Sequence, residues 1–343
     1  MAGDTARVGI IGASGFTGAE LLRICAQHPG LDVAFATGDS QAGTAAADLY
    51  PGLAPAYPDL VFQAWDPALL DGVDGVFVGL PHGASQTLMA DVLGKDCTVV
   101  DLGADFRLSD PADYQRWYHE PHTAPELLDR FVYGLPELHR DLLEGADAIA
   151  APGCYPTAAT LALRPLVDAG LIHTEGIIVD AVSGVSGAGR PPKPHTTFCA
   201  VDENVEAYGL LDHRHTAEMD MNLGATVLFT PHLVPMNRGI LATCYARPAV
   251  DGLSSDAVLD VLAQRYADEP FVVASTRSPS TKATLGTNAA HVTARYDART
   301  GTVVSIAAID NLGKGASGQA VQCMNLALGL PETQGLAVVG TAP

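Results

Sequence analysis

Residues 7–23 read Arg7-Val-Gly-Ile-Ile-Gly12-Ala-Ser-Gly15-Phe-Thr-Gly18-Ala-Glu-Leu-Leu-Arg23, and this stretch decides the fold. Arg7–Ile11 is a short apolar run with the look of a strand, and Ala19–Gln27 carries Leu21, Leu22, Ile24 and Cys25 at helical spacing. Glycines 12, 15 and 18 stand between them. Lacking Cβ atoms, they let the backbone turn tightly and approach a pyrophosphate, while the helix that opens there offers N–H groups and partial positive charge. Strand, glycine-rich turn and helix in this order point to a dinucleotide site.

The alternation continues outward. Val33–Thr37, Gly75–Leu80, Cys97–Leu102 and Ala146–Ala151 are apolar strands, and a helix through about Leu93 follows Pro81-His82-Gly83. Near-continuous apolar strands alternating with helices imply a parallel sheet covered on both faces. After about residue 175 the pattern changes. Gly176–Ser183, Thr226–Phe229, Gly239–Arg247, Phe271–Ser275, His291–Tyr296 and Thr302–Ile309 read as strands with few helices between them. One helix, Ser254–Tyr266, has Ser254 or Ser255 as its cap. A last helix, Ala316–Leu328, is expected to pack back on the first domain through Ala320, Val321, Met324 and Leu328. The expectation is an α/β protein: a Rossmann-type parallel-sheet dinucleotide domain (1–153 plus about 315–343) and an α+β mixed-sheet catalytic and oligomerisation domain (about 154–314).

Composition narrows the function. The 343 residues include 39 Asp+Glu against 19 Lys+Arg, a net charge of −20. The lysines are Lys95, Lys193, Lys282 and Lys314. A general basic surface for nucleic acid or for an anionic membrane is excluded. Apolar residues make up 48% of the chain, enough for a sizeable core, which rules out intrinsic disorder. Six cysteines are scattered without a Cys-x-x-Cys pair, so no cysteine zinc site is expected, and reduced thiols in a cytoplasm fit best. No secretory leader and no transmembrane run of roughly 18 apolar residues is expected.

Ala151-Pro-Gly-Cys154-Tyr-Pro-Thr157 is the most informative heptapeptide. It reads as a tight turn from a strand ending near Ala151 to a helix beginning near Thr157. Cys154 then lies at a helix N-terminus, where thiolate is favoured over thiol. A thiolate beside a dinucleotide site suggests one chemistry: capture of an acyl group as a thioester, then hydride reduction to an aldehyde. An acid/base comes from His213-Arg214-His215-Thr-Ala-Glu218, with either histidine eligible. Metal ligation by His-x-His is the weaker reading, since Arg214 stands between the two. Arg107 in Asp105-Phe-Arg107, with Arg190 and Lys193 in the loop that begins at Ser183, can hold anionic substrate groups. Asp39 follows the second strand where a ribose-binding acid would sit, whereas the adjacent Ser40 suits a 2′-phosphate.

Taken together the motifs resemble the N-acetyl-gamma-glutamyl-phosphate reductase family over essentially the whole chain. They are GASGFTGAELLR (12–23), GLPHGAS (79–85), DLGADFR (101–107), APGCYPTA (151–158), SGVSGAGR (183–190), HRHTAEM (213–219), PHLVPMNRGI (231–240) and DNLGKGASGQAVQCMN (310–325). The resemblance implies NADPH-dependent reduction of N-acetylglutamyl 5-phosphate to the 5-semialdehyde, with release of phosphate, by a homo-oligomer. It assigns Cys154 as nucleophile and favours His215 over His213 as acid/base. It places NADP(H) on Gly12, Ser14, Gly15, Phe16, Thr17, Gly18, Ser40, Pro81, Ser183, Gly184 and Asn311. Substrate contacts fall to Arg107, Arg190, Lys193, His213 and Arg214, and no metal is implied. Two departures stand out: Asp39 lies where basic or hydroxyl residues are common, and Ala217 replaces a common proline. The competing readings are an aspartate-semialdehyde dehydrogenase, an aminoadipyl-phosphate reductase, a non-redox cysteine acyltransferase or hydrolase, and a dinucleotide-sensing module.

Overall fold

A computed structural model describes residues 5–341, which divide into two compact units. One runs to Pro152 and takes in Ala316–Leu336; the other is Gly153–Gly315 with the segment from Ala337 on. The C-terminal stretch is thus shared between the units, whereas the sequence pattern assigns it whole to the first.

The first unit is built on six parallel strands: β1 (Ala6–Ile11), β2 (Leu31–Ala36), β3 (Gly75–Val78), β4 (Thr98–Asp101), β5 (Val132–Tyr133) and β6 (Ala148–Ala150), in the order β2-β1-β3-β4-β6-β5. Both faces are covered, as near-continuous apolar strands require. Val8, Ile10 and Phe77 join a cluster with Leu21 and Leu22 of helix α1 (Phe16–Cys25). Ile11, Val76 and Val78 join another with Leu88, Met89 and Val92 of α2 (Ser85–Leu93). Two further helices, α3 (Pro111–Tyr118) and α4 (Pro136–Leu143), which are rich in polar and charged residues, and the two-residue β5 are absent from the sequence reading. The C-terminal helix Gly318–Ala327 buries Ala320, Val321 and Met324 in the α1 cluster.

The second unit holds a mixed seven-stranded sheet: β7 (Ile177–Gly184), β8 (Glu206–Ala207), β9 (Val227–Val234), β10 (Ile240–Ala246), β11 (Val272–Ala274), β12 (Ala290–Asp297) and β13 (Thr302–Ile309). The order is β11-β12-β13-β10-β7-β9-β8, with β7·β9 and β11·β12 parallel and the rest antiparallel. Strict alternation along β10 buries Ile240, Ala242, Cys244 and Ala246. That face packs under α5 (Cys154–Asp168), α6 (His215–Leu223) and α7 (Ser255–Arg265). Ser254 caps α7 by accepting the Ala257 N–H at 3.1 Å.

Helix α5 starts at Cys154, three residues earlier than the sequence pattern suggests. Pro156 falls in the first turn, where its missing N–H has no intrahelical partner to lose. Pro165, deeper in the helix, cannot donate to the Leu161 carbonyl. The Tyr266 hydroxyl donates there instead, at 2.8 Å.

Candidate functional site

In the first unit the glycine loop joins β1 to α1, and each glycine has its own reason to be there. Gly12 has φ +82°, and a Cβ on it would stand 2.5 Å from the Gly79 carbonyl oxygen. Gly18 lets α1 lie on the strand end: its Cβ would be 2.4 Å from the Ala13 Cα. Gly15 is the N-cap of α1, and its Cβ would meet only the Gly12 oxygen, at 3.6 Å. Here the missing side chain leaves room above the backbone rather than relieving a clash. The loop is anchored by Gly12 N–H to Thr37 Oγ1 (3.1 Å), Ser14 Oγ to Gly38 O (3.2 Å) and Tyr50 OH to Ser14 O (2.7 Å). Ser14, Phe16 and Thr17 are half-buried around it. An open, amide-lined cradle at a helix N-terminus with no acid in its first turn fits a dinucleotide pyrophosphate. Asp39 and Ser40 are exposed at the end of β2, and Asp39 has φ 45°.

Pro81 is exposed on the loop after β3. Arg107 is buried in the loop after β4, where Nε donates to Ala151 O (2.8 Å) and Nη2 to Leu102 O (3.0 Å). Its guanidinium braces the strand end that leads to the Pro-Gly-Cys turn.

In the second unit Cys154 is the first residue of the 15-residue helix α5, half-buried, with Gly153 as N-cap. Its sulfur therefore stands at the positive end of a long helix, where an anion is stabilised. His215 opens α6 and leans on the same turn: a Cβ on Gly153 would lie 2.6 Å from its Nε2. Glu218, one turn on along α6 and fully buried, faces both. Its Oε2 accepts the Gly153 N–H at 2.9 Å, and its Oε1 is 3.9 Å from His215 Nε2. From the other side Gly315 closes in, leaving 2.9 Å between its would-be Cβ and the Cys154 Cβ. Cys154, His215 and Glu218 thus form one constellation.

The two histidines differ. His213 Nδ1 accepts the His215 N–H at 3.2 Å. Burial, reinforced by the Arg214 charge, lowers His213 to about 4, so it is neutral near pH 7. Its ring stacks edge-on to Tyr155, Tyr208 and His215, forming a wall beside Cys154. Burial raises the Tyr155 phenol well above the usual range and pushes Tyr208 up to about 12, so both act as neutral hydrogen-bonding groups.

Ser183 and Gly184 end β7, and Asn311 reaches the same region through Gly239, whose carbonyl accepts the Gly184 N–H at 2.9 Å. Asn311 Nδ2 donates to Ser186 Oγ (2.9 Å), and its Oδ1 accepts the Gly239 N–H (2.7 Å). Ser183 Oγ is 2.9 Å from where a Gly187 Cβ would be, so a side chain there would have to push the serine hydroxyl aside. Arg190 is half-buried, and Lys193 and Arg214 are exposed. The structure brings Ser183, Gly184 and Asn311 into one cluster and Cys154, His213 and His215 into another. Arg190 and Lys193 belong to the loop leading out of the first of these.

Glu218 is absent from the sequence reading as a site residue, although it lies within the quoted HRHTAEM run. The signal available was its spacing: three residues from His215 on a helix puts both on one face. Fully buried Asp310 was missed too. It pairs with Arg238 at 3.0 Å and accepts the Leu312, Gly313 and Gly286 N–H groups, fixing the loop that carries Asn311. No group of His, Cys, Asp and Glu residues able to hold a metal occurs among the described residues. Among them, too, no helix is long and apolar enough to cross a membrane.

Two family models match the chain: the semialdehyde dehydrogenase NAD binding domain over residues 7–146 and the semialdehyde dehydrogenase dimerisation domain over 154–311. Fold and site define the class as the semialdehyde dehydrogenases. Solved structures agree on the fold. Aspartate semialdehyde dehydrogenase II of Vibrio cholerae, complexed with ASA, superposes with a TM-score of 0.70 at 19% identity, covering 95% of this chain and 99% of that one. The Candida albicans aspartate semialdehyde dehydrogenase with NADP also gives 0.70, at 16% identity and the same coverage. Closer in sequence is the N-acetyl-gamma-glutamyl-phosphate reductase of Desulforudis audaxviator, 49% identical over 98% of this chain and 99% of its own. The enzyme of that name from Symbiobacterium thermophilum is 47% identical at the same coverage. The chain belongs to the N-acetyl-gamma-glutamyl-phosphate reductase family.

Proposed function

We propose that the chain reduces N-acetyl-γ-glutamyl 5-phosphate to N-acetylglutamate 5-semialdehyde and phosphate with NADPH, a step of arginine biosynthesis. The observation that carries this is Cys154 at the start of α5 with His215 and Glu218 gathered on its turn. The Cys154 thiolate attacks the acyl carbon, a C–S bond forms, and the C–O bond to phosphate breaks. Main-chain N–H groups at the start of α5 face the oxyanion that develops. Arg107, oriented by the Leu102 and Ala151 carbonyls, meets the leaving phosphate with Arg190, Lys193 and Arg214 as further cationic partners. The nicotinamide, when bound, supplies the hydride that takes the acyl carbon to the aldehyde level. His215 delivers and withdraws the proton on the substrate oxygen, and Cys154 returns to thiolate as the C–S bond breaks. Glu218 stabilises the protonated form of His215 and holds Gly153 in register. His213, neutral and hydrogen-bonded to the His215 main chain, shapes the pocket wall.

Gly12, Ser14, Gly15, Phe16, Thr17 and Gly18 would hold the pyrophosphate. Ser40 would meet the 2′-phosphate, and Pro81, Ser183, Gly184 and Asn311 would border the nicotinamide. The dimerisation-domain match supports a homo-oligomer, a dimer or tetramer. The open face of the second sheet, where Ile178 and Leu228 are exposed, is the surface offered to a second copy. A reducing compartment, the cytoplasm, suits the thiol chemistry at Cys154.

The test is the reverse reaction. Enzyme, N-acetylglutamate semialdehyde and phosphate should reduce NADP, seen as rising nicotinamide absorbance, and Cys154→Ala should lose at least about 10³-fold. Phosphate-independent turnover, or an active Cys154→Ala, would refute the mechanism. Running aspartate and aminoadipate semialdehydes alongside decides the acyl chain.

A further inference from the structure

A second buried polar cluster, in the first unit, takes no part in the chemistry above. At its centre is Asp105, fully buried. Its Oδ1 accepts the Gly83 N–H at 2.8 Å and the Tyr114 hydroxyl at 3.2 Å, and lies 3.2 Å from His82 Nδ1. Its Oδ2 accepts from Ser85 Oγ at 2.7 Å. Two of these partners, His82 and Gly83, belong to the loop that carries Pro81, and Ser85 opens α2 directly after it.

That loop is therefore held at both ends. At its start the Gly79 N–H donates to Ile11 O at 2.8 Å, and the Gly79 carbonyl packs on Gly12 of the glycine loop. At its end it is bound to Asp105. The His82 ring is braced from its far side by Glu120, 2.8 Å from Nε2, and lies against Tyr118. Pro81 stands exposed between these anchors. Arg107, two residues on, is held separately, by the Ala151 and Leu102 carbonyls.

Several donors around one buried carboxylate call for a full charge. Ser85 Oγ lies 3.1 Å from Asp101 Oδ2 as well, but one hydroxyl hydrogen serves one carboxylate at a time. Burial, with the Asp105 charge beside it, raises Asp101 to about 7.

We propose that Asp105 is a positioning residue for the cofactor site: it fixes the Pro81 loop against the glycine loop and so presets the place where the nicotinamide end docks. This rests on the functional reading above. The measurement is NADPH binding by nicotinamide fluorescence, with three controls: KM for the acyl phosphate, the rate of Cys154 alkylation and the thermal midpoint. Asp105→Asn keeps the shape but turns an amide N–H toward donors. It should raise the NADPH Kd about tenfold, the loss of one charge-assisted hydrogen bond. The acyl-phosphate KM and the alkylation rate should stay within about twofold. Tyr114→Phe removes one donor and should raise the same Kd about two- to threefold. Wild-type binding with an unchanged Kd in Asp105→Asn overturns the proposal alone, as does a parallel loss of all the readouts. A wild-type chain that does not bind NADPH overturns the functional reading, and this one with it.

Discussion

The glycine loop and the cysteine turn both stand where a strand hands over to a helix, yet they work by opposite means. The loop at 12–18 acts through side chains that are missing: two glycines relieve backbone contacts and the third clears a surface. The turn at 153–154 acts through groups brought in from elsewhere, the side chains of His215 and Glu218 from another helix and the Gly315 backbone from the helical turn before the C-terminal helix. A helix N-terminus is common to both. What differs is whether its amides are left for a ligand or made to serve a nucleophile.

The sharpest way to break this comparison is Glu218→Gln. The amide keeps the size but removes the charge behind His215 and turns a donor toward either His215 or the Gly153 N–H. Turnover should fall about 10²-fold, and the acid limb of its pH profile should shift. A small, pH-independent loss would mean that Glu218 serves only packing. Next come the glycines. Gly18→Ala pushes a methyl into the Ala13 backbone and should cost about 2–4 kcal/mol of stability, read by urea unfolding. Gly15→Ala meets only an ordinary contact, so unfolding should be unchanged while NADPH binding weakens. Equal destabilisation by both would erase the distinction between structural and ligand-facing glycines.

The smallest effect concerns Asp101. Burial raises its native carboxyl to about 7, whereas an ordinary aspartate titrates near 3.8. Between these values the unfolded chain binds fewer protons than the native one, so this group's contribution to stability is complete at the acid end and lost as pH rises, by up to about 1.4 kcal/mol per unit. Asp101→Asn cannot titrate. Relative to wild type it should gain about 1–2 kcal/mol in unfolding free energy between about pH 5 and pH 7. A pH-independent difference would show that Asp101 is ionised throughout.

What could be read from sequence was local. The glycine loop and the Pro-Gly-Cys heptapeptide declare themselves within seven residues, because turn chemistry and the step from strand to helix are short-range. Helix α5 begins at Cys154 rather than near Thr157, because proline at 156 is at home in a first turn. The choice between His213 and His215 rests on which imidazole nitrogen receives which N–H, a detail of conformation. Glu218 and Gly153 are 65 residues apart, and Asp105 and Ser85 are 20, so each pair exists only once the chain has folded.

The C-terminal helix bears on how the molecule matures on the ribosome. It belongs to the first unit but lies beyond the second in the chain. Ala320, Val321, Cys323 and Met324 are wholly buried there, and the Met324 sulfur occupies the space a side chain at Gly75 would need. The first 152 residues therefore emerge with the part of one sheet face beside α1 uncovered and wait for the whole of 153–315 to be translated. The nucleotide-type unit, first to leave the ribosome, is the last to be sealed. A nascent chain stalled before Gly318 would carry an apolar patch beside α1 that its own unmade helix is shaped to cover.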